Sequence, residues 1–222
     1  MCFSAGVSFT SAAILIPAGL VSLNRAKHLK NTYWAFALIP IAFGMQQIFE
    51  GLVWKSFEAN DAELLRQSAL SFLFFSHFFW LVWIPVTCYF VENSEKRKTL
   101  FLLMIAVGTA FGVILFMPLL INPSWLTVSV VNHSIHYSTI LIYDDHVSRD
   151  VGTIAYMFVM LPLMLSSDRY HRILGLLIFI SMVVSQVFFN FAFVSVWCYF
   201  AAIISLYIYV VVIQSEIKEY QV

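Results

Sequence analysis

The sequence predicts an all-α membrane protein of seven transmembrane helices, amino terminus outside and carboxyl terminus inside, with an outer β-hairpin between helices 4 and 5. Three observations carry this prediction. Of 222 residues, 61% are hydrophobic and 11% charged, with a mean hydropathy of +0.87, which excludes a soluble class. The few charges fall in clusters that separate long apolar runs. One connecting stretch alternates side chains with a period of two instead of running apolar throughout.

Twelve basic residues balance twelve acidic ones, so nothing in the net charge draws the chain toward nucleic acid, and the expected partner is the lipid bilayer. No charge precedes Arg25, so the start lacks the basic region of a secretory signal, and Cys2 stands where myristoylation needs glycine. The first apolar segment is therefore expected to stay as a span. A helix needs about 20 apolar residues to cross a bilayer. By that measure the spans run from Phe3 to Leu23, Thr32 to Trp54, Gln67 to Val91, Thr99 to Ile121 and Val151 to Ser166. A 43-residue run from Ile173 to Ser215 then carries no Asp, Glu, Lys, Arg or His. As one helix it would measure about 65 Å, twice the hydrocarbon thickness, so it is expected to fold into two spans with a turn near Asn190 to Ser195.

Basic residues are retained on the cytoplasmic side. Arg25, Lys27, Lys30, Lys96, Arg97, Lys98, Arg169, Arg172 and Lys218 fall in one set of alternate loops, against Lys55, Arg66 and Arg149 in the other. This sets the orientation, with the amino terminus outside and the carboxyl terminus inside. The loop from Lys55 to Arg66 reads as a short solvated connection. The segment 122–150 contains WLTVSVVNHSIHYSTILIY, a β-hairpin pattern with Asn132 and His133 at its tip, expected to lie over the outer end of the bundle as a lid. The triplet Asn132-His133-Ser134 is a formal glycosylation acceptor, but such triplets are common by chance and matter only in a eukaryotic secretory pathway. The chain is read as a single domain over 1–222, without repeats. Gly108 and Gly112, and the small face of Cys198, Ala201, Ala202 and Ser205, read as close-packing surfaces.

Inside the spans, the only ionisable residues by this assignment are Glu50 and His77, both in the outer half. An ionisable group in a span is a functional-site hypothesis by default. Gln46 lies one turn from Glu50 on the same face, and Gln186 and Asn190 share a face of the sixth span, where hydrogen bonding between helices is the better reading. Trp80 is placed with this pocket, while Trp54 and Trp197 read as an interfacial belt. Cys88 reads as packing. The plain alternative for Glu50 and His77 is a buried polar pair that fixes helix register.

The blocks MCFSA, QQIFEGLVW (46–54), FFSHFFWLVWIP (74–85), LSSDRYHRILG (165–175) and FVSVWCYFAA (193–202) together resemble a family of bacterial multi-pass membrane proteins of unknown function. The resemblance implies a bacterial inner-membrane protein whose family pattern includes Cys2, Glu50, Trp54, His77, Trp80 and Cys198. It implies no activity.

Three functions compete. The first is a metal-binding protein or metal-dependent membrane enzyme, with Glu50 and His77 as catalytic residues and Glu50, His77, Cys2 and Cys198 as ligands to zinc or another transition metal, acting on a lipid or small molecule that enters from the outer side. No HExxH or other histidine pair supports it. The second is proton, ion or small-molecule transport or sensing through Glu50 and His77, against which the inner half offers no ionisable partner. The third is a disulfide staple between Cys2 and Cys198, without catalysis. Retinal is excluded, because no lysine lies in a span to form the Schiff base. Haem is disfavoured, because the spans supply one histidine.

Overall fold

The structure is a computed structural model that describes residues 4–26, 33–140 and 161–219, with side chains described to residue 214. It consists mainly of helices packed side by side. Helix α1 (Ala5–Ala26) crosses the second span, which is built from α2 (Trp34–Ala37) and α3 (Ile39–Ala59). The third span comprises α4 (Ala62–Phe74), a π-helix at Phe75–Phe79 and α5 (Trp80–Val91). Helix α6 (Glu95–Ile121) leads to strands β1 (Leu126–Val131) and β2 (Ser134–Thr139). Residues 161–165 are helical, and α7 (Arg169–Phe188), α8 (Phe193–Ile204) and α9 (Leu206–Glu219) complete the chain.

Six helical segments are long and apolar enough to cross a membrane, by length and composition: 5–26, 34–59, 62–91, 95–121, 169–188 and 190–214. This is a multi-pass membrane protein in contact with lipid. Its surface agrees, since Leu103, Ile121, Val187 and Phe188 are 60–70% exposed and water would penalise them. The span expected at Val151 to Ser166 falls largely outside the described residues. The long charge-free run does divide in two, with a 3-10 turn at Asn190–Ala192 between α7 and α8. The connection expected from Lys55 to Arg66 is shorter than the sequence suggested. Asn60 ends α3 in the left-handed conformation (φ 52°), and Asp61 caps α4 by accepting from the Glu63 and Leu64 amides at 3.1 and 2.9 Å, so the charged residues on either side stay helical.

The expected packing surfaces are real. A Cβ on Gly108 would collide with the Leu81 carbonyl, and one on Gly112 would lie 2.8 Å from the Phe78 ring, so α6 lies directly on the backbone of the third span. Cys198, Ala201, Ala202 and Ser205 are all buried.

The hairpin pairs antiparallel with Val131 opposite Ser134, leaving a two-residue turn at Asn132 (φ 48°) and His133 (φ 55°). Two consecutive positive φ values make the mirror-image turn whose twist matches that of the strands. Ile135 and Tyr137 point into the bundle, where Tyr137 stacks on Phe72 of α4 at 4.8 Å with the rings 7° from parallel. The hairpin is thus packed onto the helices through one face.

Candidate functional site

Among the described residues, two polar clusters are buried in the bundle, one near the hairpin and one at the opposite end. The first is built on α3. Gln46, Gln47 and Glu50 share a buried face by their three- and four-residue spacing, and each is 0% exposed. Ser195, in the first turn of α8, donates to Glu50 Oε1 at 2.5 Å, and Gln47 Nε2 donates to Oε2 at 3.1 Å. Trp80 Nε1 donates to Gln46 Oε1 at 2.9 Å while its ring stacks on Phe43 at 4.0 Å. Cys198, one turn after Ser195, is a free buried thiol beside the Gln46 amide and in the field of Glu50. Gln46 Nε2 and Gln47 Oε1 have no hydrogen-bond partner of ordinary geometry.

His77 occupies the middle of the π-helix, 4% exposed, with Nδ1 at 2.9 Å from the Ser76 hydroxyl. Single π turns inside α-helices occur frequently at functional sites, and no sequence signal announced this one. Phe49, beside Glu50, meets Phe75, two residues before His77, with ring centroids 6.2 Å apart, so the second and third spans face each other at this level.

Of the residues expected to form the pocket, Gln46, Glu50, Trp80 and Cys198 come together. Gln186 and Asn190 do not bond across helices as expected. They bond each other at 3.4 Å at the exposed end of α7, because the helix stops there and leaves both on its rim. Trp197 departs from the belt reading: it is 6% exposed, stacks on Phe193 and donates to the Ile178 carbonyl at 3.4 Å, since its face of α8 packs on α7. Trp54 is partly buried and packs against the apolar cluster that contains Val53 and Leu73. Cys88 is fully buried in the core, as expected. Cys2, and with it the proposed staple, lies outside the described residues. Among the described residues, no three His, Cys, Asp or Glu side chains gather into a metal-holding group.

The second cluster overturns the expectation that the far half of the bundle lacks ionisable groups. Asp168 caps α7, and its Oδ2 accepts from the Tyr170 and His171 amides at 3.0 Å each and from His171 Nδ1 at 2.8 Å. Its Oδ1 accepts from the Tyr33 hydroxyl, just before α2, at 2.7 Å. Burial alone would raise the Asp168 pKa, but the bonds and charge of His171 and the Tyr33 bond outweigh it and hold the carboxyl below its ordinary range. Burial, together with the bond to Asp168, raises the Tyr33 phenol. Since the carboxylate only accepts, Nδ1 of a neutral His171 carries the proton and Nε2 presents a lone pair; Nε2 is buried with no partner while the ring stacks on Phe36 at 4.0 Å.

Beside it, Glu92 is 2% exposed. It accepts from the Asn93, Ser94 and Ser167 amides at 3.0, 3.1 and 3.0 Å and from the Ser167 hydroxyl at 2.8 Å. Burial raises its pKa, and these bonds reverse the shift to a net lowering. Arg97 bonds the Ser167 hydroxyl and lies 3.9 Å from Glu92. The signal was in the sequence as Ser-Ser-Asp-Arg-Tyr-His, where Asp168 just before an apolar run is an N-cap residue for α7.

With both clusters placed, the chain can be compared with known proteins. Residues 1–221 match a family of unknown function (DUF6629). The chain belongs to this family. The match covers nearly its whole length and bears out the resemblance carried by the five sequence blocks, so both clusters lie within the family's extent. No curated protein and no solved structure matches.

Proposed function

We propose that the protein is a membrane proton transporter, in which Glu50 is the proton site of the outer half and the Asp168–His171 pair is that of the inner half. The reading rests on one observation: the second span is tied at both ends to the last part of the chain through an acid. Glu50 binds Ser195 at one end, and Tyr33 binds Asp168 at the other. Seventeen residues of helix separate Tyr33 from Glu50, about 25 Å, most of the hydrocarbon thickness. Protonating either carboxyl replaces an acceptor with a donor and weakens the corresponding tie, so the proton occupancy of each end biases how the span is held. The distribution of basic residues among the loops supports an outward-facing hairpin end, with the hairpin as a lid over the outer site in a bacterial inner membrane.

The test is proton flux. Proteoliposomes with a trapped pH indicator and an imposed membrane potential are expected to acidify faster than empty liposomes, and Glu50→Gln and Asp168→Asn to abolish the difference. Flux no greater than in empty liposomes sinks the proposal.

A second reading keeps a zinc or other transition-metal site, with Glu50, His77, Cys198 and Cys2 as ligands and hydrolysis of a lipid or small molecule as the chemistry. What favours it is the Cys198 thiol beside Glu50. Elemental analysis of protein purified in mild detergent is expected to give stoichiometric metal that is lost in Cys198→Ser and Glu50→Gln. Protein free of metal discards this reading.

A further inference from the structure

The hairpin end of the bundle carries an apolar cleft apart from both polar clusters. An apolar cleft of about 350 Å³ opens between α3, α4 and α6, lined by Met45, Phe49, Leu70, Phe74, Phe116 and Leu120. Its walls belong to three segments long and apolar enough to span a membrane, so the medium that meets its open side is hydrocarbon. At its mouth stands Arg66. Residues 66, 70 and 74 follow one another by four, which puts the guanidinium above Leu70 and Phe74 on one stripe of α4.

Among the described residues, Arg66 is held there by one bond, from Nη2 to the carbonyl of Leu120, itself a cleft residue, at 3.3 Å. A guanidinium has five N–H donors, so most of its capacity is unspent. Among the described residues it forms no ion pair, and the nearest acid along the helix, Glu63, bonds Gln67 at 2.6 Å instead. The arrangement therefore offers a planar cation at the polar edge and, directly beneath it, an apolar slot about 12 Å long between the levels of Arg66 and Phe74.

We infer that this cleft holds one acyl chain of a membrane phospholipid whose phosphate is bound by Arg66. A phosphodiester supplies paired oxygens for the guanidinium fork, and its chain fills the slot. Phe49 and Phe75 form the wall toward Glu50, so bound lipid would brace the contact between the second and third spans without entering the polar cluster.

Native mass spectrometry of the delipidated full-length protein tests this, titrated separately with phosphatidylglycerol, with diacylglycerol of the same chains, and with inorganic phosphate. One phosphatidylglycerol per chain is expected at low concentration. Diacylglycerol and Arg66→Gln are each expected to weaken binding about tenfold, the worth of a charge-assisted bond. Ser71→Trp, which projects bulk into the cleft wall, is expected to abolish it, and Lys55→Gln, on an exposed residue paired with Glu58, to leave it unchanged. Melting curves of each variant without lipid show that the fold is kept. Equal binding of diacylglycerol and phosphatidylglycerol, equal binding by Arg66→Gln and the parent, or phosphate binding as tightly as the lipid would each overturn the inference.

Discussion

Ser195 Oγ lies 2.5 Å from Glu50 Oε1 and donates to it, joining two residues 145 positions apart in a region where neither has access to water. The bond closes the bundle between α3 and α8. Ser195→Ala removes a donor and leaves the carboxyl under-satisfied in an apolar interior, which is expected to cost about 1–3 kcal/mol. Glu50→Gln keeps an acceptor for Ser195 and removes the charge, so it should cost less. Thermal unfolding in detergent reads the order; a larger loss for Glu50→Gln would show that the charge itself holds the fold.

Asp168 makes stability depend on pH. Its pKa is lowered in the folded state, so its contribution is complete above the ordinary aspartate range, near 4, and disappears as pH falls through the lower folded value. Glu92 acts in the same direction. The melting temperature of the parent should therefore fall below about pH 4. Asp168→Asn should start lower at neutral pH and fall less over that window. Parallel curves for parent and variant would show that Asp168 has the same pKa folded and unfolded.

Gly108 faces the Leu81 carbonyl with no room for a methyl group, and backbone on both sides cannot give way cheaply. Gly108→Ala is expected to destabilise by about 1–3 kcal/mol. Gly6, exposed and 3.8 Å from its nearest neighbour, is the control: alanine there should be neutral or gain up to about 1 kcal/mol from helix propensity.

The hairpin turn gives a gain-of-stability test. His133 is held at φ 55°, a conformation that glycine adopts without a Cβ penalty. His133→Gly should stabilise by up to about 1 kcal/mol and His133→Val should destabilise, as read by protease resistance of the segment.

Cys88 and Cys198 are both enclosed, at 0% and 6% exposure. In a Cys2→Ser background a membrane-permeant maleimide should label neither thiol until denaturant is added. Rapid labelling of Cys198 would mean that the α3–α8 contact opens in the native state.

The Glu50 cluster was half legible in the sequence. Glu50, Gln46, Trp80 and Cys198 stood out because a polar or reactive side chain within an apolar run is conspicuous and helical spacing assigns its face. Ser195 did not, because a serine next to a helix turn has many ordinary uses, and only the packing of α8 on α3 brings it to the carboxyl. The second cluster is not legible in the sequence for a related reason: Glu92, Asp168 and His171 sit beside Arg97, Arg169 and Arg172, and such a mixture reads as a solvated loop.

Sequence by itself determined the membrane class, the positions of most spans, the division of the final apolar run and the hairpin with its turn. Each of these follows from local rules: the length needed to cross hydrocarbon, the period of side chains along a helix or strand, and the φ a turn demands. Tertiary structure alone decided which polar groups meet. It turned Trp197 inward, left Gln186 and Asn190 at a rim, buried Glu92 and His171 at a loop, and set Arg66 above an apolar cleft. Those outcomes depend on which helix faces lie against one another, and in a chain whose spans are apolar on every side, periodicity carries little information about facing.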